Sequence, residues 1–392
     1  MSNKHNIVIV AAKRTPMGGL QGELANIPAT ELGAVAIKAA LVQAAVSHID
    51  EVYMGNVVSA GLKQAPARQA SLKAGLDTSI PCTTISKVCG SGMKAIMIGR
   101  DQIAASNAEV IVAGGMENMS ATPYLLPKAR QGLRLGHGEV LDSLLLDGLE
   151  DAETGGLMGH FGQSTADNYN ISRTAMDAYA VESLKRAQAA AQQQLMQDEI
   201  APVSLATRNG EHIIALDEQP GKAQPEKIPQ LKPAFKKGGS ITAANASSIS
   251  DGAAALILMR ESHALEQGHK PLARLIAQAT HAQAPSEFCL APIGAINQVL
   301  DQAGWSSHDV DLWEINEAFA VVTLLAMQQL GLDHRKVNIH GGACALGHPL
   351  GASGARIVVT LIYALKRMGL KKGVASLCIG GGEATAIALE VL

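Results

Sequence analysis

The sequence predicts an α/β protein made of two similar halves, and three observations predict it. Short runs rich in Val and Ile alternate with stretches whose apolar residues recur at helical spacing, the pattern of strand–helix–strand units. The chain has 392 residues, of which 47% are hydrophobic but only 3% aromatic, so the core of its two or three domains must be built from Ala, Val, Ile, Leu and Met. A strand, a glycine-rich turn, a long helix and an apolar strand running into Gly-Gly-X-Glu occur twice, the last at Gly114-Gly115-Met116-Glu117 and at Gly380-Gly381-Gly382-Glu383. Duplication is the economical reading. Two packed halves would bring the carboxyl ends of their strands together, where open α/β sheets place ligands.

Taken in order, residues 6–11 form a first buried strand. Ala29 to Ser47 forms a helix with Leu32, Val35, Ala36, Ala39 and Ala40 at helical spacing, and Glu51 to Val58 forms a second strand. Thr83 to Lys87 is a strand, Gly90 to Ser106 a helix, and Glu109 to Ala113 a strand ending in Gly114-Gly115. Parallel strands covered by helices are implied. From about Ser120 to Ser250 the texture changes to Pro and Gln with one clear helix around Arg173 to Gln197, which reads as an inserted, loop-rich subdomain. Ala253 to Met259 then resumes a buried strand and Leu272 to Ala279 opens the second series. Asp311 to Asn316 and Gly373 to Cys378 follow as strands, with helices over Glu317 to Leu330 and Leu350 to Met368. The expected division is 1–119 with 250–270, an insert at 120–249, and 271–392.

Charge and composition exclude several function classes. Lys and Arg number 32 against 35 Asp and Glu, a net charge of −3, with no basic run interleaved with aromatics, so no nucleic-acid partner is expected. The longest apolar stretches, such as Ala253 to Met259 and Ile357 to Leu365, fall short of the roughly 18 to 20 residues that span a bilayer, so no membrane association is expected. The N-terminus reads as a strand rather than an export signal, and the C-terminal Glu390-Val391-Leu392 is not the peroxisomal tripeptide; a cytoplasmic protein is the expectation. Five cysteines without CxxC spacing then read as free thiols, neither a disulfide framework nor a zinc site.

Four positions stand out for chemistry. Cys89, in Lys87-Val88-Cys89-Gly90-Ser91-Gly92, lies between a strand and a helix N-terminus that would favour its thiolate; flanking glycines leave the sulfur open, while a buried structural thiol is the alternative. His348 precedes Pro349 at a helix start, with five glycines between Gly341 and Gly354; it would serve as the base a thiol nucleophile needs, or as a structural histidine. Cys344 stands four residues before it, but Gly347 and Pro349 disfavour the continuous helix a metal pair would require. Cys378 ends a strand at Gly380-Gly381-Gly382, a turn whose N–H groups suit an oxyanion. Asn316 would orient a water or carbonyl, or cap a helix. No Gly-x-Ser-x-Gly, Walker A or His-Glu-x-x-His occurs, which leaves cysteine chemistry.

Together, VCGSG at Cys89, NEAFA at Asn316, GHPLGASGAR at His348 and CIGGG at Cys378, with AGGMENMS at 113–120 and SDGAAA at 250–255, resemble the thiolase signatures in order and spacing over essentially the whole chain. The length and the placement of the insert most resemble the biosynthetic, acetyl-CoA-condensing branch. The resemblance implies a thiolase fold, with two βαβαβ halves packed as α-β-α-β-α layers. It implies acetyl transfer from one acetyl-CoA to Cys89, ionised with the help of His348, then condensation with a second acetyl-CoA deprotonated by Cys378, giving acetoacetyl-CoA and CoA. Asn316, through a water, and His348 would hold the enolate oxygen; the N–H groups of Cys89 and Gly380 would take the tetrahedral oxyanion. Phe235, Ala243, Ser247 and Phe319 would line the pantetheine channel. CoA is then substrate and product, with no permanently bound cofactor or metal, in a homodimer or homotetramer serving fatty acid metabolism.

The chain departs from the family pattern in three places. Leu157-Met158-Gly159-His160-Phe161-Gly162-Gln163-Ser164-Thr165-Ala166-Asp167-Asn168 replaces His-Met-Gly-x-Thr-Ala-Glu-Asn, with apparent extra residues. Pro220-Gly221 stands where a basic residue near the adenosine phosphate is usual, with Lys222 as substitute. Ser247-Ser248-Ile249-Ser250 replaces Ser-Gly-Ile-Asn. The rival expectations are a degradative 3-ketoacyl-CoA thiolase for longer chains, a ketosynthase, which would use a Cys with two His and lack a counterpart of Cys378, and a CoA-binding protein without turnover.

Overall fold

The chain alternates strand and helix much as its hydrophobic pattern dictates. In a computed structural model, which describes residues 6–392 apart from Ser47 and Asn209, the elements run β1 (Ile7–Arg14), α1 (Ala29–Ala44), β2 (Glu51–Gly55), β3 (Cys82–Ile85), α2 (Ser91–Ala104) and β4 (Val110–Asn118). Helices α3 (Met158–Asn168) and α4 (Arg173–Gln192) lie in the insert. After it come β5 (Ser250–Arg260), β6 (Ala273–Ala282), α5 (Ala291–Ala303), β7 (Leu312–Ile315), α6 (Ala320–Leu330), α7 (Leu350–Met368), β8 (Lys372–Ile379) and β9 (Glu383–Val391). The expected end of the first helix at Ser47 lies outside the described residues; α1 closes at Ala44 with Ala45 in the left-handed region.

One sheet carries these strands in the order β7-β8-β9-β6-β1-β5-β4-β2-β3, and the duplication is visible in its pairing. In the first half β1 and β4 flank β5 antiparallel, β4 pairs β2 parallel, and β2 pairs β3 parallel. In the second half β6 and β8 flank β9 antiparallel, β8 pairs β7 parallel, and a parallel bridge from Trp313 to Val337 stands where a fifth strand would be. Within the sheet, among the described residues, the halves pair through Ile7–Ile9 of β1 against Ala273–Leu275 of β6. The sheet is therefore mixed, not parallel as the pattern implies. The last two strands form a hairpin closed over Gly380-Gly381-Gly382, with Gly381 and Gly382 at φ +88° and +89°, and a hairpin is antiparallel by construction.

Helix α7 explains the layering. Every residue from Leu350 to Leu365 is buried, so the helix has no solvent face and must be sandwiched. It packs on α2 and against strands of both halves, while α1 covers the outer face of the first half and α5 that of the second. This gives α-β-α-β-α layers. Fully buried Ile357, Val358, Val359, Leu361 and Ile362 anchor the middle layer, each contributing about 1.5–3 kcal/mol. The insert holds more order than its Pro and Gln content suggests, since it contains α3, whose small and polar residues weaken its periodicity; outside it α5, absent from the expected elements, places Ile296, Val299 and Leu300 on its buried face.

The insert is also tied down electrostatically. Arg14, fully buried on β1, donates to Glu199 at 2.5 Å and in two parallel bonds to Asp217 at 2.7 and 2.9 Å. Arg14→Ala would leave two buried carboxylates without their cation. The expected result is a loss of about 3–5 kcal/mol in denaturant unfolding; an unchanged midpoint would contradict it.

Candidate active site

Two helix starts and two loops converge on one cavity. The end of β3 leads through Lys87-Val88 to Cys89, and Val88 sits at φ +44°, a position that a β-branched residue rarely accepts. The Ser91 hydroxyl holds this turn, accepting from the Lys87 N–H at 2.8 Å and donating to the Val88 carbonyl at 2.7 Å. Cys89 is thereby set just ahead of α2. Gly92 on α2 and Gly351 on α7 meet closely enough that a Cβ on Gly92 would lie 2.8 Å from the Gly351 oxygen, so the first turns of the two central helices touch. This brings His348, just before α7, to the same cavity.

The cavity, of about 260 Å³, is lined by Cys89, His348 and Gly380, by Phe235, Ser247 and Phe319, and by an apolar wall of Leu145, Leu149, Leu157, Met158 and Leu350. Sequence reasoning missed that wall. The segment with apparent extra residues turns out to contribute Leu157, Met158 and Gly159 to it, at the start of α3. Ala243 lies instead in an adjoining cleft with Gln219, Lys227 and Ser248. Lys222 lines neither space; it is exposed and hydrogen-bonded to Glu218 on its own short helix.

Cys89 keeps a partly exposed face on the cavity, yet its sulfur is closely surrounded. Burial pushes the thiol up to about 11, aided by the nearby Glu117 carboxylate; the N–H groups of Gly380 and of Cys89 itself bond to the sulfur and pull the other way without prevailing. The thiolate expected from the helix N-terminus is thus not the resting state, because dehydration of the sulfur outweighs two amide donors. Burial, then the Arg356 guanidinium, lowers His348 to about 3, so its imidazole is neutral. The pair therefore rests as thiol and imidazole. Alkylation of Cys89 in the free protein by iodoacetamide is expected to rise about tenfold per pH unit from pH 7 to 9, following the thiolate fraction; a flat rate across that range would mean an ion pair instead.

Cys378, at the end of β8, is 1% exposed and does not line the cavity wall. It lies among Phe288, Phe319 and Cys289, and burial first, then the charges of Cys89 and Cys289, raise its pKa well above the ordinary value. Two residues on, Gly380 reaches Cys89 with its N–H. The sulfurs from the two halves are therefore neighbours, one on the cavity and one beneath it. Asn316 is no helix cap: α6 begins at Ala320 with Phe319 before it. Its Nδ2 stands 3.5 Å from both ring nitrogens of His348, and its buried Oδ1 has no protein partner among the described residues.

Buried carboxylates fix the loops. Glu117 accepts from the N–H groups of Gly351 at 2.8 Å and Val57 at 3.0 Å, and from Asn56 Nδ2 at 2.6 Å. Glu317 accepts from Tyr179 at 2.7 Å, Ser183 at 2.8 Å, Asn338 at 2.9 Å and the Cys344 N–H at 3.0 Å, joining the Asn316 and His348 loops. The Cys344 thiol donates to the Glu317 carbonyl oxygen at 3.7 Å. The Gly-Gly-X-Glu rhyme is not structural. Gly114 and Gly115 lie inside β4, where Cβ atoms would strike the Ala254 and Gly351 oxygens at 2.1 and 1.9 Å, whereas Gly381 and Gly382 form the hairpin turn.

Comparison with known proteins agrees with this geometry. Residues 7–262 match the model of the thiolase N-terminal domain and residues 269–391 that of the thiolase C-terminal domain. The chain is 49% identical to a probable acetyl-CoA acetyltransferase of Dictyostelium discoideum, over 100% of this chain and 95% of that one. It is 47% identical to the acetyl-CoA acetyltransferase of Escherichia coli, over 99% of each. The crystal structure of the Bacillus anthracis acetyl-CoA acetyltransferase superposes with a TM-score of 0.97 at 41% identity, each chain covered in full. With both halves matched and the layered architecture shared, this chain belongs to the thiolase family.

Proposed function

We propose that the protein is an acetyl-CoA C-acetyltransferase, an acyltransferase that condenses two molecules of acetyl-CoA into acetoacetyl-CoA and free CoA. The observation that carries this reading is Cys89 on an apolar cavity, under the N–H groups of Cys89 and Gly380, with a neutral imidazole on the same wall. The names of full-length relatives support the choice of substrate.

The chemistry follows from those groups. As Cys89 attacks the thioester carbonyl, His348 accepts its proton, the carbonyl oxygen becomes an oxyanion under the two N–H donors, and the CoA sulfur departs with the proton. Each such donor contributes about 2.7–4 kcal/mol to lowering the barrier. The acetyl group is left on Cys89. Cys378 then passes its thiol proton to His348 and, as the thiolate, takes a proton from the methyl group of a second acetyl-CoA; His348 and a water on Asn316 hold the enolate oxygen, the new carbon–carbon bond forms, and Cys89 leaves as a thiolate that recovers its proton from His348. Phe235, Ser247 and Phe319 line the approach of the pantetheine arm, with Ala243 in the second cleft, and Lys222, exposed on the surface, would meet the adenosine phosphate. CoA enters and leaves as substrate and product, with no group permanently bound. A homodimer or homotetramer acting in the cytoplasm belongs to the same reading.

Intact-mass measurement after addition of acetyl-CoA is expected to show a gain of about 42 Da on Cys89. A CoA-binding protein without turnover would show none. Thiolysis of acetoacetyl-CoA is expected to exceed that of a medium-chain 3-ketoacyl-CoA; strong preference for the longer substrate would replace the biosynthetic assignment with the degradative one.

A further inference from the structure

Ser353 lies on the first turn of α7, fully buried, and lines neither the cavity nor the adjoining cleft. Its Oγ is 2.5 Å from His348 Nδ1 and 2.9 Å from the carbonyl oxygen of Pro349. A hydroxyl carries one hydrogen and a carbonyl carries none. The Pro349 oxygen also accepts the N–H groups of Ala352 and Ser353, both at 2.9 Å, yet a Ser353 hydrogen pointed at Nδ1 would still leave Oγ and that carbonyl oxygen facing each other at 2.9 Å with no hydrogen between them. The hydrogen therefore goes to Pro349, in the bond to the preceding turn that helical serines commonly make. The Oγ is left as an acceptor, and Nδ1 must carry a proton to meet it.

The Asn316 amide nitrogen, a donor, stands 3.5 Å from both ring nitrogens, so it offers an acceptor to neither and leaves the choice to Ser353. Arg356, one turn along the same helix and buried against Glu314, disfavours a second proton on the ring. Which ring nitrogen is protonated is set by the partner of the other.

We propose that Ser353 is a positioning residue that holds His348 with its proton on Nδ1, so that Nε2 presents the lone pair that takes the Cys89 proton. The assignment rests on the acyl-transfer reading above for its consequence, though not for its geometry. Without Ser353 the ring is free to shift its proton to Nε2, and the base is lost while the cavity keeps its shape.

The direct test is ring ¹⁵N–¹H correlation spectroscopy on the full-length protein labelled at histidine, with His348 assigned by comparison with His348→Asn. A protonated Nδ1 and unprotonated Nε2 are expected in the unsubstituted protein; the reverse overturns the proposal whatever any variant does. In single turnover with acetyl-CoA, Ser353→Ala is expected to acetylate Cys89 about 10²-fold or more slowly, with the acetyl-CoA concentration for half-maximal rate unchanged. Ser353→Thr, which keeps a hydroxyl able to bond the preceding turn, is expected to recover most of that loss. An alanine variant that acetylates at the original rate overturns the proposal. If the unsubstituted protein never acetylates, the acyl-transfer reading falls instead, and the tautomer signal still stands by itself.

Discussion

Cys378→Ala is expected to divide the reaction in two: Cys89 still gains an acetyl group from acetyl-CoA at close to the original rate, while acetoacetyl-CoA formation falls by about 10²–10⁴-fold. The division follows from position. Cys89 has its own donors and its own neutral imidazole on the cavity, so the first transfer needs nothing from β8 except the Gly380 N–H, which is backbone and survives the substitution. Cys378 sits beneath that site, buried beside Phe288 and Phe319, with its proton held tightly by dehydration. A group in that place can serve a second molecule only after the first sulfur has been capped. Cys89→Ala, by contrast, removes the bond-forming atom and is expected to abolish both steps. The measurements are the mass gain on the 89-containing peptide and the rate of acetoacetyl-CoA formation by the same preparations. Equal loss of both in Cys378→Ala, with folding intact, would mean that the deeper thiol serves the first transfer, and the assigned roles would fall.

The fold and the reacting groups were legible to different degrees, for physical reasons. Strand and helix positions in the first and last thirds follow from periodicity, and the expected Leu350–Met368 helix is found at the same bounds, its apolar run from Ile357 to Leu365 bounded by Pro349 before the helix and Gly369 after it. Strand direction was not legible, since a run such as 253–259 is equally apolar whether it pairs parallel or antiparallel. Cys89, His348 and Cys378 announced themselves by their glycine surroundings, and Asn316 by its amide at the end of a strand. Their electrostatics did not, because burial at Cys89 depends on residues more than two hundred positions away. Ser353 and Glu117 were in view within quoted motifs but carried no role, as each acts through bonds between segments distant in the chain or across a helix turn. Lys222 follows Pro220-Gly221 in the sequence, and what the sequence does not show is its hydrogen bond to Glu218 on the same short helix.

Gly115→Ala is expected to be the most damaging single-methyl change in the molecule's centre. An added Cβ would sit 1.9 Å from the Gly351 carbonyl oxygen and 3.0 Å from Gly92 Cα, both backbone, so no side chain can swing aside. The helix cannot simply retreat, because the Gly351 N–H is bonded to Glu117, two residues along the same strand, and the following residues of α7 are buried on every face. Either β4 buckles or the first turn of α7 moves away, and His348 stands three residues before Gly351. A loss of about 3 kcal/mol or more in unfolding free energy is expected. If enough protein folds to assay, a shift of about 1 Å at His348 would lower acetylation of Cys89 by about 10²-fold. Gly138→Ala provides the comparison: it lies in an exposed loop, its nearest contact would be a Leu133 side-chain carbon at 3.4 Å, and a change within about 0.5 kcal/mol is expected. Should Gly115→Ala match Gly138→Ala in both stability and acetylation rate, strand and helix must part there without penalty, and the close backbone contact would no longer explain how the imidazole is held opposite the sulfur.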